Sequence, residues 1–317
     1  MSTPVTTAPL AVTPHALVGA TPPPTPRGRP ARDHPWRRAF SRANIVETLL
    51  AGYVPMIVAV LVIALPLVWM ALSSFKPVSE IVTTTPRLLP QDPTTANYAD
   101  VAARVPLARV FWNSLVVTSV ASAIKVVLAV TGAYALVFLT RVPGRRVVLM
   151  VVLVALMVPP EASLLPNYVV ISAMGGRNTL WGIILPGLGT AFGTFLLRQQ
   201  FLTVPVEILE AAQLDGAGHW RRLWQIVVPV TVPTIATVAL VTIVSEWNNF
   251  LWPLVITDTP DKMTLPVGLN LLNSIESQTG TYGILMAGAV LVVLPVLLVF
   301  AALQRHIVAG LTQGAVK

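Results

Sequence analysis

The sequence predicts an all-α integral membrane protein with six transmembrane helices, and three observations carry that prediction. The 317-residue chain is 55% hydrophobic, with a mean hydropathy of +0.74. Only 11% of its residues are charged, where a soluble domain carries about 25%. Those charges leave long empty runs, between Glu47 and Lys76, Arg177 and Arg198, Arg222 and Glu246, and Glu276 and Arg305. Each run holds the roughly 20 residues that a helix needs to cross a hydrocarbon core of about 30 Å. Two more apolar stretches, about 110–139 and 147–170, are interrupted only by Lys125 and Glu161.

Taken in order, residues 1–44 read as a disordered tail and 45–317 as one transmembrane domain. Residues 1–35 are rich in Pro, Thr and Ala and have little to bury. They do not read as a signal peptide, because the basic cluster follows the mildly apolar stretch instead of preceding it. The first span, near 50–73, is too long for a cleaved segment. A polar, proline-punctuated loop follows over about 74–108. In the second span, 110–139, Lys125 is expected to snorkel to the inner surface, because the stretch is longer than one crossing. RVPGRR (141–146) makes a short basic turn. The third span, 147–170, contains Pro159, Pro160 and Pro166 around Glu161. Each proline removes a helical hydrogen bond, so a straight helix is not expected there. Such breaks are tolerated at membrane depth where they line a cavity or are buried in protein. Spans four, five and six are expected at about 179–198, 229–256 and 281–304.

Lysine and arginine set the orientation. With the N-terminus in the cytoplasm, the inner segments hold fourteen of them: Arg27, Arg29, Arg32, Arg37, Arg38, Arg42, Arg141, Arg145, Arg146, Arg198, Arg221, Arg222, Arg305 and Lys317. The outer segments hold Lys76, Arg87, Arg104, Arg109, Arg177 and Lys262. This positive-inside bias predicts two cytoplasmic termini, and it accounts for the net charge of +8 without a nucleic-acid partner.

Between spans four and five the chain turns polar, reading VEILEAAQLDGAGHWRRLWQIVVP. Pro205 suits a helix start, Glu207 and Glu210 complement the positive helix end, and Gly216 suits the stop. A short helix over VEILEAAQLD, a G-A-G turn and a second helix from His219 make a compact knob on the cytoplasmic side. Ala211 and Ala212 leave a flat patch, flanked by Glu210 and Asp215, where another surface can approach closely.

Several chemistries are excluded. The chain has no cysteine, so it has neither disulfides nor thiolate metal sites. His15, His34, His219 and His306 show no metal-ligand spacing. No G-x-x-x-x-G-K-[ST] loop is present to hold ATP, and no catalytic triad is apparent.

The pattern E-A-A-x-x-D-G followed by I-V-V-P (226–229) resembles the coupling-helix motif of ABC importer permeases. NTLWGIILP (178–186), TFLLRQQF (194–201), EWNNFLWPL (246–254), TLPVGL (264–269) and QRHIVAGLTQGAVK (304–317) resemble the MalG-like carbohydrate branch of that family. The likeness covers about 45–317. It implies a MetI/MalG-type permease fold in a bacterial inner membrane, and a transport subunit that is not itself an enzyme. It also implies the partners: a second, MalF-like permease, two ATPase subunits that carry the ATP and magnesium, and an extracytoplasmic sugar-binding protein. This chain is expected to bind no cofactor of its own. By the same likeness Glu210, Ala211, Ala212, Asp215 and Gly216 meet the ATPase, and the C-terminal QRHIVAGLTQGAVK packs near it.

For the substrate pathway the candidates are Glu161, Asn167, Tyr168, Trp247, Asn248 and Asn249. An ionisable residue at membrane depth suggests function, although Glu161 also reads as a charge paired within the bundle or sitting near the outer interface. The aromatics and amides of EWNNFLWPL are expected on one helix face, either along the pathway or in an interfacial aromatic belt. Three alternatives stand beside sugar import. They are a permease for another small solute such as glycerol phosphate, an ion-coupled secondary transporter, and a membrane scaffold. A secondary transporter usually shows internal repeats and intramembrane charge relays; no repeat is evident, and only Lys125 and Glu161 stand as candidate charges.

Overall fold

The computed structural model describes residues 48–81, 87–139, 143–276 and 282–313, and every regular element among them is helical. The expected tail, 1–44, lies outside the described residues. The chain divides into two compact units, 1–62 and 63–317. In the first, a π-helical turn (Thr48–Tyr53) leads into α1 (Val54–Ser73), within which the division falls.

The second unit is organised around α4 (Leu107–Phe138), whose 32 residues exceed any single crossing. Its buried positions include Val110, Ser114, Val117 and Ala121, at three- and four-residue spacing, and Ala129 and Ala133 about two turns further on. Small residues on that stripe let neighbouring backbones come close. Accordingly α8 (Ala191–Phe201) and α11 (Val228–Trp247) pack along α4, and α14 (Tyr282–Gln313) packs on α11.

Two apolar clusters close the ends of this bundle. The upper one joins Val101 of α3 (Ala96–Arg104) to Val110, to Leu265 and Leu272 of α13 (Leu265–Glu276), and to Ile284 of α14. The lower one joins Ala133 and Tyr134 of α4 to Phe201, Leu209, Leu223 and Val227. A third, smaller cluster holds Val117, Ile183, Trp252 and Ile256 together.

Within the stretch expected as a polar loop over 74–108, the described residues 74–81 and 87–108 are more ordered than that. Asn97 of α3 is buried, and its Nδ2 donates to the carbonyls of Ser74 (2.8 Å) and Lys76 (2.9 Å). Lys76 in turn lies over the Trp69 ring at 4.4 Å. Glu80, in α2 (Val78–Ile81), accepts from the amides of Gln91 (2.9 Å) and Asp92 (2.8 Å). Those two donors hold its carboxyl below the ordinary range.

Four helical segments are long and apolar enough to cross a membrane: Ala51–Ser73, Leu107–Phe138, His219–Trp247 and Tyr282–Ala302. Two bent pairs bring the total to six if each is one span. The first pair is α5 (Arg145–Met157) and the segment Pro160–Ala173, which turn by 98°. Val158 and Pro159 are extended there, as expected where a proline excludes the preceding residue from helical geometry. Pro166 breaks nothing, because it lies in the first turn of α6 (Leu164–Ala173), where backbone N–H groups have no helical acceptor. The expected single crossing at 147–170 is therefore two helices around a sharp corner.

The second pair bends by 44°, between Leu180–Leu188 and α8. The cause is L-P-G-L-G (185–189), which interrupts the span expected as continuous over 179–198 after α7 (Leu180–Ile184). Span five also departs from expectation. It begins at His219 and ends at Trp247, and 251–256 form a separate helix, α12 (Leu251–Ile256). At the other end of the chain α14 continues as helix to Gln313, past the limit expected for span six.

Candidate functional site

The polar stretch between spans four and five folds as a bracket at the lower end of the bundle. α9 (Val206–Leu214) follows Pro205, and Asp215 closes it. Gly216 has φ +77°, a left-handed conformation that glycine adopts without strain and that ends helices readily. The turn is completed by the Ala217 amide donating to the Ala212 carbonyl at 2.9 Å. α10 (His219–Arg222) then rises through a π-helical turn (Leu223–Val227) into α11.

That wide turn has a local reason. Pro229 has no N–H to give to Gln225, and the Val228 amide reaches back five residues to the Leu223 carbonyl instead. Helix consequently continues from His219 to Trp247, 29 residues in all. At 1.5 Å per residue this is a rod of roughly 43 Å.

Apolar roots fix the bracket to the bundle. Leu209, Ala217 and Leu223 are buried, and Phe138 stacks on Phe201 with centroids 6.3 Å apart. Polar contacts add a second tie: the Tyr134 hydroxyl and His219 Nδ1 lie 3.3 Å apart, and an Arg222 Nη donates to Gln213 Oε1 at 3.1 Å. The outer face is left bare. Glu210, Ala211, Asp215 and Gly216 are exposed, and Ala212 is half-buried. Neither Glu210 nor Asp215 forms an ion pair among the described residues. Beside them Ile208 is exposed, and Leu214 shows 89% of its surface. An apolar tip flanked by unpaired carboxylates, on a firmly rooted helix, has the makings of a protein-docking surface.

The pathway candidates lie at separate places in the fold. Glu161 is exposed in a 3₁₀ turn (Pro160–Ser163) just past the 98° corner. Asn167 and Tyr168 are half-buried on α6, with Tyr168 against the third cluster. Trp247 is buried, its Nε1 donating to the Val292 carbonyl at 3.0 Å and its ring edge-on to Phe111.

The single helix face expected for EWNNFLWPL is not found. α11 ends at Trp247, and Asn248 donates back to the Val244 carbonyl at 2.8 Å as the chain leaves the helix. Asn248 is exposed and Asn249 half-buried in the connection to α12. No hydrogen bond or ion pair among the described residues joins the 161–168 group to the 247–249 group.

A cleft of about 580 Å³ opens between α4, α11 and α14. Leu115, Ile243 and Val296 make its walls apolar, and Thr118, Ser119 and Ser122 supply hydroxyls along one side. Of the candidates, only Trp247 lines it.

Lys125 does not snorkel. Its Nζ donates to Glu246 Oε1, and the two side chains are only 14% and 10% exposed. From Lys125 to Phe138 there are 13 residues of helix (125 to 138), or roughly 20 Å, farther than a lysine stem extends. Pairing is the alternative that satisfies the charge. In the sequence Glu246 ends a charge-free run and opens EWNNFLWPL, and nothing there pairs it with Lys125. No group of three or more metal-ligating side chains occurs among the described residues.

Residues 140–313 match the family described as binding-protein-dependent transport system inner membrane component. The sn-glycerol-3-phosphate transport system permease protein UgpE of Brucella abortus (strain 2308) is 31% identical over 271 residues, covering 83% of this chain and 96% of the relative. The diacetylchitobiose uptake system permease protein NgcG of Streptomyces coelicolor is 33% identical over 255 residues, covering 80% and 84%. Among solved structures, a chain of a bacterial ABC transporter involved in the import of the acidic polysaccharide alginate superposes with a TM-score of 0.69. It is 24% identical, and the match covers 84% of this chain and 98% of that one. With its apolar spans and its fold, this chain belongs to the inner membrane components of binding-protein-dependent transport systems.

Proposed function

We propose that the chain is one transmembrane subunit of an ATP-driven importer for a sugar or oligosaccharide, coupled to a separate ATPase through α9. The observation that carries this reading is the bracket itself. Its E-A-A-x-x-D-G face is bare, its roots are buried, and it is continuous with the rod that ends at Trp247. Glu210, Ala211, Ala212, Asp215 and Gly216 form the face that meets the ATPase. The carboxylates pair with basic groups there, and Leu214 and Ile208 enter an apolar groove. With the positive-inside bias, the lower end is cytoplasmic and both termini lie on that side, in a bacterial inner membrane.

The mechanism follows from rigidity. ATP is held and hydrolysed by two partner ATPase subunits, and this chain contributes position only. When the ATPases close, they displace α9, and the buried roots pass that displacement to α10, to the rod and to α4. A second permease completes the pathway, and an extracytoplasmic binding protein delivers the solute. Glu161, Asn167, Tyr168, Trp247, Asn248 and Asn249 remain the pathway candidates on this side of the pair. Glycerol phosphate is a second substrate reading, supported by the relatives from Brucella.

Uptake into proteoliposomes holding the full complex tests the proposal, with labelled oligosaccharides and glycerol phosphate offered in parallel. ATP-dependent accumulation of one of them is expected. Uptake that follows a proton or sodium gradient without the ATPase would contradict it.

A further inference from the structure

Two charges inside the spans are used by nothing described so far. Lys125 is on α4 and Glu246 is the penultimate residue of the rod; 121 positions apart in sequence, they meet in the interior. Two further ion pairs among the described residues are different in kind. Arg177–Asp258 joins half-exposed side chains in loops, and Lys262–Asp261 joins sequence neighbours. A third element also comes to the intramembrane pair. A Cβ placed on Gly187 would lie 3.5 Å from Lys125 Nζ, so the 3₁₀ turn at the bend of span four faces the ammonium. Spans two, four and five therefore converge on one charge pair.

We propose that Lys125 and Glu246 form a strut that makes α4 and the 219–247 rod move as one body, a reading that rests on the permease function proposed above. The physical reason is the cost of separation. Parting two charges in a low-dielectric interior leaves each uncompensated, whereas moving them together costs no such desolvation. At its lower end the rod is already fastened to α4 by apolar contacts and by Tyr134–His219. Those contacts, like the packing of α11 along α4 and of Trp247 against Phe111, are mainly apolar and non-directional, and by themselves let the rod shift against α4 when α9 is pushed. The strut removes that shift, so displacement at the cytoplasmic face arrives undiminished beside the cleft that α4, α11 and α14 enclose. Lys125 and Glu246 are thus positioning residues for transport. Their neutral replacement lowers the number of solute molecules moved per ATP hydrolysed.

The test uses the complete reconstituted complex and reads uptake and ATP hydrolysis together. In K125M/E246M both charges are gone, a change that buried pairs often tolerate in stability. The strut predicts an assembled complex that hydrolyses ATP while uptake per ATP falls at least tenfold. The charge-swapped K125E/E246K is expected to recover uptake that K125E and E246K each lose. Wild-type uptake per ATP in K125M/E246M would overturn the strut, as would a swap no better than the single variants.

A second measurement exploits the absence of cysteine in the chain. In K125C/E246C, a short bifunctional thiol crosslinker is expected to restore uptake that the unlinked protein lacks. A crosslinked complex frozen without transport would show instead that the pair must part during the cycle, and the strut would be wrong. If the wild-type complex itself shows no ATP-dependent uptake, the permease function fails. If only the variants behave as wild type, the strut alone fails.

Discussion

The two ends of the 219–247 rod are both fastened to α4, and only the upper one adds a buried charge pair. At the lower end the fastening is mainly apolar: Leu223 and Val227 of the rod join Ala133 and Tyr134 in a cluster that Phe201 and Leu209 complete. At the upper end Trp247 packs with Val110 and edge-on to Phe111 of α4, and an ion pair, Lys125–Glu246, is added to those apolar contacts. An apolar contact is graded and slides at little cost, whereas a desolvated charge pair is specific about its partner and resists separation. The contrast suggests that the lower end is built to receive motion and the upper end to keep its direction.

The largest effect is expected where the bracket loses its shape. Gly216 sits at φ +77°, which proline, fixed near −65°, cannot reach. Gly216→Pro should abolish ATP-dependent uptake while the protein still inserts in the membrane, measured by transport and by membrane fractionation.

Next come single losses at each fastening. Lys125→Met leaves Glu246 buried without its partner and should cost about 3–5 kcal/mol. Phe201→Ala opens a cavity in the lower cluster at a similar cost of about 3–5 kcal/mol. Thermal denaturation in mild detergent separates them when each is combined with Glu246→Met. The second change should recover stability in the Lys125→Met background and give nothing in the Phe201→Ala background.

Smaller still, Tyr134→Phe removes one hydrogen bond to His219 and should cost about 0.5–1.5 kcal/mol, with uptake per ATP nearly unchanged. The smallest effect is expected from Arg177→Ala. Its pair with Asp258 is half-exposed, and such pairs contribute little once water screens them. A large loss of stability there would mean that the loop clasp matters more than the interior strut.

The sequence announced the lower end far better than the upper. The bracket was legible because its signals are local: Pro205 at one end, Gly216 at the other, and between them Glu207, Glu210 and Asp215 around the Ala211–Ala212 pair. The corner at Pro159 was legible for the same reason, although its angle was not, since tertiary packing decides how far a broken helix folds over. The bend in span four had a signal, L-P-G-L-G, which the surrounding apolar run obscured. Glu246 lay hidden because its meaning depends on Lys125, 121 residues earlier, and hydropathy cannot show that two distant charges share a depth and a face. The end of α11 at Trp247 was equally obscure. E-W-N-N-F-L-W-P-L suits helix by composition, and only the side chain of Asn248 turning back to Val244 shows where the chain leaves it.

The central claim is that α9 is the surface through which an ATPase drives this chain. Its most direct test is gentle purification of the tagged protein from native membranes, as wild type and as Glu210→Lys, with mass spectrometry of what accompanies each. The account predicts that wild type brings an ATPase and a second multi-span subunit, and that Glu210→Lys keeps the second subunit and loses the ATPase. Recovery of the wild-type chain alone or as a homo-oligomer, in repeated preparations and mild detergent, would contradict it.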